Sequence, residues 1–207
     1  MFISRRLAPS LVAGLAVIDI APVRYTLADG TDWRLTEAMV RNLAQLRIDS
    51  IHSKREADSL LARHVLDPQL RAFALLNLSE EQIAANDVRG AKRLRWRIGL
   101  HEIEDQLDTI AGAEVGAVPS PGRDSVRVSP YRGPTKFVKA SMSEYIKYNE
   151  EIKEVVGNTH WQRMRSYFPK ASIETIDGAG HWVHVTRPEA LHASIGEFTR
   201  DVSFIYN

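Results

Sequence analysis

The 207-residue sequence predicts an α/β fold: a short, mostly parallel sheet interrupted by a long helical insertion. Three observations predict it. An almost wholly apolar run, Leu15 to Ile20, lies between Gly14 and Pro22, as a strand buried on both faces of a parallel sheet does. The last third of the chain alternates strand-like and helix-like segments, the signature of a parallel α/β sheet. Between these, residues 33 to 112 carry helical periodicity.

The elements follow in order. Met1 to Leu15 places Arg5 and Arg6 ahead of the apolar run Leu11 to Leu15, which reads either as a short targeting peptide or as the end of a buried helix leading into the first strand. The second reading is the expectation. Asp19 is the single charge in that strand and sits near its C-terminal end. Met39, Val40, Leu43 and Leu46 line one face of a helix. Ser53-Lys-Arg-Glu56 is a capping box, followed by Ala57, Leu60, Leu61 and Val65 on one face. Asp67-Pro68 caps and starts another helix, with Leu70, Phe73, Leu76 and Leu78 as its apolar side. Ser79 to Lys92 is polar and reads as a helix end and a loop. Leu100 to Ile110 reads as a last helix through Ile103, Leu107 and Ile110. Gly112 to Pro134 holds four of the nine prolines and four of the twelve glycines, the composition of a flexible connector.

Pro134 to Ala140 then reads as a strand, Thr159 to Phe168 as a helix stopped by Pro169, and Ala171 to Ile176 as a strand. Gly178-Ala-Gly180 marks a tight turn. Thr186-Arg-Pro-Glu189 reads as a capping box opening a terminal helix to about Asp201. The expected organisation is a core from residues 1–32 and 131–207, a helical cap at 33–112 and a connector at 113–130.

Composition excludes several function classes. With 44% hydrophobic and 26% charged residues and a net charge of +1, the chain lacks the basic excess of a nucleic-acid binder. It has no cysteine, which removes disulfides, thiolate metal sites and cysteine nucleophiles. No stretch approaches the roughly 20 apolar residues of a membrane span.

Of the seven histidines, His181 stands apart. It follows Gly178-Ala-Gly180 directly after a strand, with Trp182 next and a helix soon after, which is the edge where parallel α/β sheets build their sites. His181 and His184 are three apart but in a loop without a third ligand, so no metal site is expected. His101 with Glu102, Glu104 and Asp105 reads as a solvated helix face. Arg93, Arg95 and Arg97 around Trp96 form a local basic patch, read as a solvated edge, with an anionic substrate group or a membrane surface as the other reading.

The segment Asp177-Gly-Ala-Gly-His-Trp-Val-His-Val-Thr-Arg-Pro-Glu-Ala190 resembles the catalytic-histidine loop of α/β hydrolases. It is most similar to the small esterase group that includes mitochondrial abhydrolase-domain proteins, bacterial acyl-esterases and fungal ethanol acetyltransferases. Val17-Ile-Asp-Ile-Ala-Pro-Val23 resembles that group's strand six, and Gly133 to Ser143 its strand seven and following loop. The resemblance covers about residues 8 to 200. It implies the C-terminal part of an α/β-hydrolase fold, strands six to eight, with a cap insertion. It also implies that His181 is the general base of a serine hydrolase or acyltransferase. Most of the family places the acid after strand seven, where Glu144 is the only carboxylate. The esterase group takes it from the end of strand six, which Asp19 matches. An unpaired buried carboxylate is costly; pairing with His181 or capping the turn at Ala21-Pro22 would each account for Asp19. Ser143 matches a family serine that assists near the histidine, or is a plain loop serine. Triad chemistry needs no cofactor, and none is expected.

The nucleophile motif Gly-x-Ser-x-Gly does not occur. The family places it about two dozen residues before the strand-six acid, which counts back to just before Met1. The expectation is therefore a truncated enzyme acting on short or medium acyl esters or thioesters, supplying base and acid but not nucleophile. The alternatives are an inactive binding or assembly module, or a chain completed in trans. Strand six would be an exposed apolar edge, open to a partner chain, and the chain alone marginally stable. The resemblance implies the mitochondrion as location.

Overall fold

The computed structural model describes residues 12–26, 31–82, 92–112, 130–148 and 159–206. Residues 1–11 of the N-terminal segment, and nearly all of the expected connector, lie outside them. The chain divides into two compact units, one of Met1–Trp33 with Ala111–Asn207 and one of Arg34–Ile110.

The first unit holds a three-stranded sheet of β1 (Leu15–Ile18), β4 (Thr135–Ala140) and β5 (Ala171–Ile176), in the order β1-β4-β5. Both pairs are parallel, with Leu15 opposite Thr135 and Thr135 opposite Ala171. This is the expected sheet, and its central strand β4 is buried at every position. Its side chains alternate between two cores. Phe137 packs with Val17, Ile146, Met164 and Phe168, the last beside helix α6 (Thr159–Tyr167). Val138 and Ala140 pack on the other face with Ile176, Ala179, Val183 and Leu191. Val183 opens the short helix α7 (Val183–Thr186), and Leu191 belongs to the long helix α8 (Pro188–Tyr206). Neighbours on both faces leave β4 without a solvent side, although Lys136 and Lys139 interrupt its apolar run.

β1 departs from that expectation. Val17 is buried, but Ile18 is 42% and Ile20 44% exposed. β1 is an edge strand, so its outer residues have no second strand or covering helix among the described residues.

Two lysines are buried in β4. The Lys136 ammonium pairs with Glu174 at 2.6 Å and donates to the Ser194 carbonyl at 3.2 Å, while the Ser194 hydroxyl donates to Glu174 at 2.8 Å. Burial pushes the Glu174 carboxyl up, but the Lys136 and Ser194 hydrogen bonds outweigh it and hold the group below its ordinary value. Lys139 donates to the Ala140 carbonyl at 2.9 Å.

The second unit begins within α1 (Thr31–Ala44). It continues through a 3-10 turn (Ile48–Ser50), α2 (Lys54–Leu61), α3 (Pro68–Leu75), β2 (Leu78–Gln82), β3 (Lys92–Trp96), α4 (Leu100–Asp105) and α5 (Leu107–Ala111). The caps form as read. The Glu56 N–H donates to Ser53 Oγ at 3.1 Å and the His52 N–H to Glu56 Oε2 at 2.9 Å. Asp67 accepts from the Gln69 N–H at 2.8 Å ahead of Pro68. Val40, Leu43, Ala57, Leu61 and Val65 are buried.

Four readings are corrected. Ser79 to Gln82 is not a helix end: Leu78–Gln82 and Lys92–Trp96 pair as antiparallel strands, and the loop expected between them, 83–91, lies outside the described residues. Only Leu78 and Leu94 supply fully buried apolar contacts there, so a polar surface strand carries too little periodicity to be read. α3 buries Ala74 and Leu75 and leaves Phe73 43% and Leu76 65% exposed. The helix ends at Leu75, so the apolar pattern continued past the element that was thought to carry it. The 100–110 helix breaks at Gln106 into α4 and α5, which bury Leu100 and Leu107 and leave Ile110 exposed. Thr186 does not cap the terminal helix. Its hydroxyl donates back to the Trp182 carbonyl at 3.1 Å as the last residue of α7, and α8 starts on Pro188. No helix among the described residues is long and apolar enough to cross a membrane.

Candidate active site

The C-terminal ends of the three parallel strands converge on one cluster. At the end of β1 the chain turns through Asp19 at φ 45°, the only positive φ on a described non-glycine residue. Aspartate tolerates this region better than most residues, at a cost of about 1–2 kcal/mol. The Asp19 N–H still continues the ladder to the Val138 carbonyl at 2.7 Å. Its carboxylate is fully buried and fully used: Oδ1 accepts from the Ala140 N–H at 2.9 Å, and Oδ2 lies 2.9 Å from His181 Nδ1. The Ala21 N–H is taken by the Tyr25 hydroxyl at 2.7 Å, so turn capping is not the role of Asp19.

His181 reaches this position on the loop after β5. Gly178 adopts φ 65°, where only glycine sits without strain. The loop is laced to the one after β4. The Ser141 N–H donates to the Ile176 carbonyl at 3.1 Å, the Met142 N–H to the Ala179 carbonyl at 2.9 Å, and the Gly178 N–H to Ser141 Oγ at 2.9 Å. Ala179 is fully buried and anchors the turn. The two glycines are not equivalent. A Cβ on Gly180 meets nothing within 4 Å, whereas one on Gly178 adds strain at a left-handed φ and approaches the Arg187 guanidinium. Gly178→Ala is expected to lower stability by about 1–2 kcal/mol and Gly180→Ala to leave it within about 0.5 kcal/mol, as read from urea midpoints; equal losses would contradict this account.

An ionised carboxylate only accepts, so Nδ1 is the donor in this pair, and in the neutral ring the lone pair then lies on Nε2. Nε2 has no hydrogen-bond partner among the described residues, and the side chain is 36% exposed. A buried acid thus orients a partly exposed imidazole whose second nitrogen has no partner among the described residues, an arrangement able to take a proton from a hydroxyl and return it to a leaving group.

Of the other residues singled out, Glu144 is exposed and its backbone N–H donates to Asp32 Oδ2 at 2.8 Å. The structure does not bring the Ser143 hydroxyl to His181. It donates to Asp32 Oδ2 at 3.2 Å and accepts from the Tyr145 N–H at 3.2 Å. His184 is exposed with its ring against Trp182, and His101 is an exposed partner of Glu104 at 3.8 Å. Within the basic patch, Arg95 pairs with Glu81 at 3.0 Å.

Three residues went unnoticed in the sequence. Tyr145 lays its ring on the His181 imidazole, centroids 4.0 Å apart at 28°. Tyr25 packs edge-on against Tyr145 at 5.2 Å and donates to its carbonyl at 2.9 Å. Burial pushes the Tyr25 phenol well above its usual range, with lesser contributions from Tyr145 and Asp19. Asp32 accepts from the Ser143 hydroxyl and the Glu144 N–H from more than 100 residues away. No local signal separates these from ordinary core aromatics or a helix-start aspartate.

No family model matches the chain. It is 32% identical over 190 residues to the sn-1-specific diacylglycerol lipase ABHD11 of Danio rerio, a match covering 92% of this chain and 50% of that protein. It is 22% identical over 195 residues to the esterase YbfF of Escherichia coli, covering 94% of this chain and 61% of that one. Among solved structures, a marine microorganism esterase superposes with a TM-score of 0.70 at 25% identity, over 92% of this chain and 62% of that chain. The chain spans about half the length of the curated lipases it matches.

Proposed function

The chain belongs to the α/β-hydrolase family, and on that premise we propose that it supplies the base and the acid of a serine esterase or acyltransferase. His181 is the base and Asp19 the acid. The observation that carries this is the 2.9 Å contact between His181 Nδ1 and the buried Asp19 carboxylate, made across 162 residues, with Nε2 unpartnered among the described residues. The reaction is acyl transfer through a serine ester. His181 takes the serine proton, returns it to the departing alcohol or thiol, and then activates water or an alcohol to release the acyl group. The substrate class is a short or medium acyl ester or thioester. The helical insertion, residues 33–112, sets the choice among them. Mitochondrial residence belongs to the same reading and is supported by the resemblance of the histidine loop.

The nucleophile is not in this sequence, which contains no Gly-x-Ser-x-Gly. The test is to read the coding sequence upstream of Met1, express its longest product and treat it with a fluorophosphonate probe. Labelling of a serine that disappears in His181→Ala is the expected result. A longest product that is never labelled would overturn the enzyme reading. A second reading, a binding or assembly module, is favoured by the exposed Ile18 at the end of edge strand β1 and Ile20 just past it. It predicts a partner chain along that edge and no labelling.

A further inference from the structure

We infer that Tyr145 is a positioning residue for His181, clamped in place by Asp32 and Tyr25; the inference rests on the reading of His181 as the base.

An imidazole held by one hydrogen bond is fixed along a line, not in a plane. The Nδ1···Oδ2 contact to Asp19 leaves the ring free to pivot about that axis, which swings Nε2 away from any reacting hydroxyl. A flat surface against one face removes this freedom. The Tyr145 ring provides it at 4.0 Å and 28°, and Trp182 stands edge-on to the imidazole at 6.1 Å and 70°. The Tyr145 face, electron-rich at its centre, also favours the imidazolium that forms when His181 accepts a proton.

Tyr145 can do this because it is held itself. It is 5% exposed. Its carbonyl accepts from the Tyr25 hydroxyl and its N–H donates to Ser143 Oγ. One carboxylate oxygen, Asp32 Oδ2, gathers the Ser143 hydroxyl and the Glu144 N–H. The rings of Trp33, Tyr25, Tyr145 and His181 pack one against the next, at centroid distances of 6.3, 5.2 and 4.0 Å. The hydroxyl of Ser143 therefore acts through Tyr145: it is a brace for the residue that flanks the histidine.

The experiment is a long-range proton–nitrogen NMR correlation of the His181 imidazole in the full 207-residue chain, assigned by its loss in His181→Gln. The wild type is expected to show one tautomer, protonated at Nδ1, with carbon-bound ring protons displaced upfield by the Tyr145 ring current. Tyr145→Leu should abolish the displacement and broaden the ring signals as the imidazole pivots about its retained bond to Asp19, Tyr145→Phe should restore the wild-type position and width, and Asp32→Ala should fall between. Unchanged imidazole signals in Tyr145→Leu would overturn the inference. Should that variant not fold, the wild type decides alone: ring protons without an upfield displacement sink the stack. The outcome is independent of the proposed chemistry. An unlabelled long product with these signals intact refutes the esterase reading only, and a labelled one with unchanged Tyr145→Leu signals refutes the positioning role only.

Discussion

Replacing Asp19 with asparagine is expected to slow serine acylation in the longest product about 10,000-fold, the loss that a wrong histidine tautomer causes in such triads. The two side chains have the same shape, so Oδ1 still accepts from the Ala140 N–H. The difference lies at the second position. The carboxylate Oδ2 faces His181 Nδ1 at 2.9 Å and obliges that nitrogen to donate. An amide NH2 in its place donates instead, which strips the proton from Nδ1, places it on Nε2 and leaves no base toward the serine. Folding should change little, because no volume is lost and both hydrogen bonds have a substitute. Asp19→Ala is the weaker test. It strands the Ala140 N–H and the imidazole, at a cost of about 1–3 kcal/mol for buried unpaired groups, and so mixes stability with chemistry. The check is the rate of fluorophosphonate labelling alongside the thermal midpoint. An asparagine variant labelled within a few-fold of wild type, at the same midpoint, would remove Asp19 from the catalytic role.

Phe137→Ala should cost about 3–5 kcal/mol of stability, the range for truncating a fully buried phenylalanine. Phe137 has no exposed surface and sits in the middle strand of a three-stranded sheet, its ring 5.6 Å from that of Phe168 and tilted at 66°. The cavity would open between the sheet and α6, beside Met164 and Ile146, which are fully buried and come from different parts of the chain. Collapse to fill it is therefore limited. Since whole domains are stable by only about 5–15 kcal/mol, this one truncation should remove much of the margin. Urea midpoints of wild type, Phe137→Ala and Phe137→Leu provide the measurement. An alanine variant within about 1 kcal/mol of wild type would mean that this core does not carry the unit.

Much of the fold was legible in the sequence because its cues are local. Pro134 to Ala140 was read as a strand, and Thr135–Ala140 forms one that is buried at every position. Ser53 and Asp67 cap their helices within three residues. Gly178-Ala-Gly-His announced the histidine loop through the backbone angle that Gly178 adopts. The surface hairpin of β2 and β3 was missed because its strands are charged and bury little. Thr186 and Glu189 matched a capping box that the preceding turn pre-empts.

What the sequence by itself determined is a parallel sheet, an inserted helical unit and a short set of polar residues at strand ends. It left Asp19 and Glu144 both open as partners of His181, because both lie after strands and chemistry alone does not rank them. Tertiary structure decided between them: parallel pairing of β1 with β4 and β4 with β5 stacks the strand ends in space, so that Asp19 and His181 meet across 162 residues. The same packing brings Tyr145 to His181 and Asp32 to Ser143. Contacts of this kind follow from the register of strands and the path of loops. No residue's own spacing encodes them, and only the folded chain makes the histidine a held and oriented group.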